Sequence, residues 1–220
     1  MILDAARVLI PFVTTFTIGI LLAPVLTHYL YQHKVWKKKG GKQAMDGNAA
    51  VEFNKLHEER ESHTPRMGGI LIWSSVLITA GVFMALASIF NGAFSDLDFV
   101  NRGQTWIPLC ALLFGALLGL ANDIRDVTTA DARGISLPVR LGLIAVASLG
   151  VAWWFYEKLE VSSIGIPFFG PLELGIFFIP FFILVTLAIY ASGTIDGIDG
   201  LAGGVFGIIF MAYAGIAFFQ

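Results

Sequence analysis

Apolar stretches close to the length of a membrane crossing recur along this chain and leave it few folds to adopt. They cover residues 8–30, 69–90, 106–121, 137–156, 172–192 and 201–219. A helix needs about 20 mostly apolar residues to cross a bilayer, where no water can satisfy a free backbone amide or carbonyl. The third stretch is short, and its helix is expected to continue toward Asp123 or to begin before Trp106. Only 14% of residues are charged, against roughly 25% in a soluble domain, and the mean hydropathy is +0.77. The expected fold class is therefore all-α: a polytopic integral membrane bundle, with residues 1–220 forming one membrane domain.

Several single residues refine that picture. Asp4 and Arg7 precede the first stretch without a small-residue cleavage site, so it reads as an uncleaved first helix. Pro108 and Pro138 fall at helix starts, where proline is well tolerated. Pro180 lies inside the fifth stretch and is expected to kink that helix. Cys110 is the single cysteine; within its apolar run it reads as a small core residue. A net charge of −2 gives no electrostatic reason for a nucleic-acid partner.

Lysine and arginine set the expected orientation. Lys34, Lys37, Lys38, Lys39, Lys42, Lys55, Arg60 and Arg66 fall between the first and second stretches, and Arg125 and Arg133 follow the third. The opposite connections hold only Arg102 and Lys158, with acids at Asp96, Asp98, Glu157 and Glu160. Loops 31–68, 122–136 and 193–200 are thus expected in the cytoplasm and the N-terminus outside, in a cell inner (plasma) membrane. The Lys34 to Lys42 run reads as an anchor near anionic headgroups. Residues 46–61 read as a mobile loop or a short surface helix.

Three polar, glycine-rich segments fall on that same side. They are Ser62-His63-Thr64-Pro65-Arg66-Met67-Gly68-Gly69, Asn122-Asp123-Ile124-Arg125-Asp126, and Ala191-Ser192-Gly193-Thr194-Ile195-Asp196-Gly197-Ile198-Asp199-Gly200-Leu201-Ala202-Gly203-Gly204. The lysine and arginine asymmetry fixes that side independently of them, and three loops of one bundle can converge on a single pocket. Each also has a plainer reading: a turn with a helix start, a polar helix end, or turn acids. Asp126 and Asp131 read as solvated loop acids. A carboxylate at a membrane edge is costly without a cation, a partner or water. Mg²⁺ favours a few carboxylates together with phosphate oxygens, and it neutralises the charge of a leaving diphosphate. Asp199, Asp196 and Asp123 are the candidate carboxylates, and Asp196 and Asp199 share a face if their segment is helical. Gly68 and Gly69 would let backbone amides approach a phosphate at the start of the second helix. Arg66, Arg125 and Arg133 would bind further phosphate oxygens.

Taken together, these segments resemble the polyprenyl-phosphate N-acetylhexosamine-1-phosphate transferases (glycosyltransferase family 4), and most closely the branch acting in bacterial peptidoglycan synthesis. Thr64-Pro65-Arg66-Met67-Gly68-Gly69 is similar to that branch's Thr-Pro-Thr-Met-Gly-Gly. Asn122-Asp123-Ile124-Arg125 stands where the family has Asp-Asp-Tyr-x-Lys, and Arg133-Gly134-Ile135-Ser136 resembles the Lys-Gly-Leu that follows. Asp196-Gly197-Ile198-Asp199-Gly200-Leu201-Ala202 matches Asp-Gly-Leu-Asp-Gly-Leu-Ala closely. The resemblance implies a Mg²⁺-dependent membrane enzyme. It would move phospho-N-acetylmuramoyl-pentapeptide from its UDP carrier to undecaprenyl phosphate, giving UMP and the first lipid-linked peptidoglycan precursor. By this resemblance Asp199 and Asp196 would bind the metal. Asp123, Asn122 and Asp196 would be the catalytic positions. Thr64, Pro65, Arg66, Gly68, Gly69, Arg125 and Arg133 would bind substrate.

Departures from the family pattern are equally concrete. The family's first Asp is Asn122 here, and an amide serves neither as base nor as nucleophile. The family's Asn three residues before Asp196 is Gly193. Members continue for about four more helices and a cytoplasmic histidine motif, whereas this sequence stops at Gln220; it is expected to be a fragment, to need a second chain, or to be inactive. Alternative readings are the sister activity with UDP-N-acetylglucosamine or a related sugar, toward which Arg66 leans, an ion-coupled transporter, and a non-catalytic scaffold. A homodimer is left open.

Overall fold

A computed structural model describes residues 2–36, 63–90, 94–101, 103–129, 134–166, 169–195 and 200–219. Their helices are α1 (Ile2–Gln32), α2 (Ile70–Ile89), α3 (Trp106–Thr128), α4 (Leu137–Lys158), α5 (Phe178–Ala191) and α6 (Leu201–Phe219). A hairpin of β1 (Ser163–Ile166) and β2 (Gly170–Glu173) precedes α5. Ala5–Gln32, Ile70–Ile89, Trp106–Thr128 and Leu137–Lys158 are long and apolar enough to cross a membrane, while Gly175–Ala191 and Leu201–Ala217 are shorter apolar helices. Large apolar side chains such as Phe12, Leu21, Leu117, Val146 and Phe210 lie more than 60% exposed. Water would penalise so much bare apolar surface, whereas lipid does not. The chain is an all-α polytopic membrane protein carrying one small hairpin. It divides into two compact units, Met1–Ser136 and Leu137–Gln220.

In the first unit α1 packs on α2 through small and hydroxyl-bearing residues. Thr79 is fully buried; its hydroxyl donates to the Ser75 carbonyl at 2.8 Å and meets the Thr15 hydroxyl of α1 at 2.9 Å. One turn along, a Cβ on Gly19 would stand 3.4 Å from the Ser75 hydroxyl, so the two backbones approach closely. This is how helices associate in lipid: no hydrophobic force drives them together, so close packing and polar contacts decide. Pro11 and Pro24 lie inside α1, an arrangement that membrane helices tolerate. Just past the helix end Lys34 has a left-handed φ of 51°. The amide of Val35 donates to the Leu30 carbonyl, and that of Lys34 to the Tyr31 carbonyl, in the Schellman pattern. Cys110 is exposed on α3, which corrects the core reading: a small apolar side chain suits a lipid-facing surface as well as an interior.

In the second unit α4 presents Ile144, Ser148 and Ala152, all buried and four residues apart, so one ridge of the helix is covered. Its partner α5 buries Phe178 and Ile179. Phe155 of α4 meets Phe182 of α5 with ring centroids 5.7 Å apart. The fifth stretch, expected as one helix over 172–192, divides differently. Gly170, at φ +87°, enters β2, which pairs antiparallel with β1 from Ser163↔Glu173 to Ile166↔Gly170. The α-helix begins only at Phe178. Pro180 therefore falls in its first turn, where a missing N–H removes no bond from the helix interior, and the expected mid-helix kink has no basis.

Candidate functional site

The site is organised by the C-terminal turns of α3. The apolar run ends near residue 121, yet the helix continues to Thr128, so residues 122–128 are helical rather than the loop the sequence suggests. Arg125 in the last turn complements the negative end of the helix dipole, and the Thr129 amide closes it on the Arg125 carbonyl. Helical spacing then puts Asn122, Asp123 and Asp126 on adjoining faces of one end. Each engages another part of the chain.

Asp123 and Asp126 hold the Thr64–Gly69 segment. The Met67 amide donates to Asp123 Oδ2 at 3.2 Å. Arg66 Nη1 lies 3.3 Å from Asp126 Oδ2. The Arg66 amide donates to the Val35 carbonyl at 2.7 Å, tying the segment to the end of α1. His63 and Trp36 add a ring contact of 6.3 Å there. Between these anchors Met67 has φ 70°; a left-handed backbone is unfavourable for such a side chain and persists where the surroundings over-determine it. Asp126 is only 6% exposed. Far from a solvated loop acid, it is a buried carboxylate with a guanidinium partner. Removing Arg66 would leave that carboxylate buried alone, at a cost of about 3–5 kcal/mol, whereas Arg66 itself keeps some contact with solvent.

Asn122 holds the other loop. Its Oδ1 accepts from the Ile135 amide at 3.0 Å. Gly134 packs directly on its carboxamide: a Cβ there would collide with Asn122 Oδ1, stand 2.9 Å from Asn122 Cγ, and reach 3.1 Å from Asp126 Oδ1. The glycine is required by close approach. Gly68 and Gly69 differ, since a side chain on either would meet nothing within 4 Å. Past them, the amides of Ile70, Leu71 and Ile72 donate to the carbonyls of Met67, Gly68 and Gly69.

Of the residues expected at the site, Arg66, Asn122 and Asp123 are brought together, with Thr64, Pro65, Gly68 and Gly69 on the docked segment. Arg125 is exposed on the same helix end. Arg133, Asp196 and Asp199 lie outside the described residues, as do 46–61. Gly200 has a φ of +82°, which demands glycine, and its carbonyl takes the Gly204 amide as α6 begins. No group of three or more His, Cys, Asp or Glu that could hold a metal occurs among the described residues. Asp126 is the site residue the sequence reading missed. Its spacing from Asn122 and Asp123 was the available signal, once α3 is carried past 121.

Residues 105–220 match the family model described as glycosyl transferase family 4. The chain belongs to that family. Its matched region starts one residue before α3, so the helix end bearing Asn122, Asp123 and Asp126 lies within it and the Thr64–Gly69 segment docks from outside. Among curated relatives, a Syntrophus aciditrophicus protein is 32% identical over 212 residues, which cover 94% of this chain and 52% of the relative. One from Clostridium beijerinckii is 28% identical, covering 97% and 59%, and one from Chlorobium phaeobacteroides is 27% identical, covering 94% and 51%. All three carry the name phospho-N-acetylmuramoyl-pentapeptide-transferase. The chain spans about half the length of the curated relatives it matches.

Proposed function

We propose that this chain is part of a membrane phosphoglycosyl transferase. It moves phospho-N-acetylmuramoyl-pentapeptide from UDP to undecaprenyl phosphate at the cytoplasmic face of the inner membrane, releasing UMP. The observation that carries this reading is the docking of the Thr64–Gly69 motif on Asp123 through the Met67 amide. Two of the motifs behind the resemblance thereby meet at one helix end. Family membership and the shared name of the relatives support it further. So does the lysine and arginine distribution, which puts the motif loops in the cytoplasm and the N-terminus outside.

Within this reading the residues divide the work. Gly68 and Gly69, bare and open, let a phosphate approach the backbone at the start of α2. The exposed Arg125 and, by the motif, Arg133 bind phosphate oxygens of the donor. Asn122 cannot take a proton from the lipid phosphate and instead holds the 134–135 loop. Asp123 keeps acceptor capacity, because a carboxylate has about four lone-pair sites and the bond from the Met67 amide uses one. That oxygen-rich chemistry suits a hard cation. Asp199 and Asp196 are assigned to hold Mg²⁺, which when bound neutralises charge on the diphosphate.

The test is UMP release by the intact natural protein, with UDP-N-acetylmuramoyl-pentapeptide, undecaprenyl phosphate and Mg²⁺. Asp199→Asn is expected to lower kcat by about 10²-fold or more, the scale of losing a group that stabilises transition-state charge. An unchanged rate removes Asp199 from the metal site. Turnover with UDP-N-acetylglucosamine instead assigns the sister activity.

A further inference from the structure

We propose that Asp126 is a positioning residue: its buried carboxylate grips Arg66 and thereby holds the Met67 amide against Asp123. The inference rests on the transferase reading for its catalytic consequence and on the structure for its mechanics. Asp126 itself is assigned neither to substrate nor to metal. Yet it is 6% exposed, and it faces both loops of the site: Arg66 Nη1 lies at 3.3 Å on one side, and Gly134 packs on the other, where a Cβ would come within 3.1 Å of Oδ1. Arg66 and Met67 are adjacent. The chain at this point is fixed by the Arg66 amide on Val35, the Arg66 side chain on Asp126 and the Met67 amide on Asp123. A methionine at φ 70° relaxes when such restraints are removed. Release of Arg66 lets Met67 leave the left-handed region, and its N–H then swings off Asp123. The ion pair sets the direction of the Asp123 carboxylate without touching substrate.

The experiment compares the intact wild-type protein with Asp126→Asn, which removes the charge at constant shape, and with the exchanged pair Arg66→Asp plus Asp126→Arg. Two readouts are taken: amide hydrogen exchange over residues 64–70, and kcat and KM for the UDP-sugar donor. Asp126→Asn is expected to speed exchange at Arg66 and Met67 by about tenfold, with protection at the α1–α2 seam unchanged, because a local anchor opens without global unfolding. kcat falls and the donor KM rises with it, because the loosened segment also carries Gly68 and Gly69, which admit a substrate phosphate. The exchanged pair recovers protection and part of kcat. Unchanged exchange at Met67 overturns the proposal. So does loss of protection throughout the first unit, which marks a merely structural role, and so does a loosened motif with full turnover. Absence of turnover in every protein, wild type included, sinks the transferase reading and with it the catalytic half. The exchange data then still decide whether Asp126 holds the motif.

Discussion

At the scale of single residues, contact chemistry rather than residue type decides what each polar group does here. Asn122 and Asp123 are neighbours, yet one faces the Ile135 amide and the other the Met67 amide. Gly134 shows how tight this is. Gly134→Ala places a methyl against the Asn122 carboxamide, 2.9 Å from its Cγ. The expected cost is about 1–3 kcal/mol, typical of overpacking a filled site. Thermal unfolding in detergent measures it, and the double variant with Asn122→Ala should recover most of the loss. A Gly134→Ala protein with wild-type stability would mean that the loop does not rest on Asn122.

Between elements, the α1–α2 seam is held by hydroxyls and a glycine instead of bulky apolar residues. Thr15 and Thr79 meet at 2.9 Å with Thr79 fully buried. A double-mutant cycle with Thr15→Val and Thr79→Val is expected to give a coupling of about 0.6 kcal/mol, and no more than ~1.7, the range for such contacts inside membrane proteins. Each hydroxyl also has a carbonyl on its own helix, at Pro11 and at Ser75. That local alternative keeps the coupling small. Zero coupling would show that the helices pack by shape alone. The end of α1 and the start of α2 matter beyond this seam, since the Arg66 amide is fastened to Val35. The site's first motif is thus carried by the same helix pair that anchors the first unit.

For the molecule as a whole, the apolar helices and the asymmetry of lysine and arginine together predict which loops face the cytoplasm. In a Cys110→Ser background, an impermeant maleimide applied to intact cells should label a cysteine at Arg102 and leave one at Lys42 untouched. The reverse pattern would invert the topology and move the motif loops to the outer face. Labelling at both positions would refute the assignment of either loop to a side.

Hydropathy alone determined that the chain crosses membranes as helices, because burial in lipid demands long apolar stretches whatever their neighbours are. The motif set likewise pointed to the right family from short strings of residues, since glycine and acid patterns around a phosphate are local. Helix ends were less legible. α3 outruns its apolar stretch because Asn122, Asp123 and Asp126 find partners that make a polar last turn stable. The 170–173 strand overlaps the start of the 172–192 stretch, whose hydropathy does not separate the end of a short hairpin from a helix start. Least legible was Asp126. Its sequence neighbours, Arg125 and Val127, say nothing of Arg66, which is 60 residues away in the chain. Only the tertiary structure brought the two within 3.3 Å. A buried charge is stable solely by virtue of the partner that the fold delivers to it.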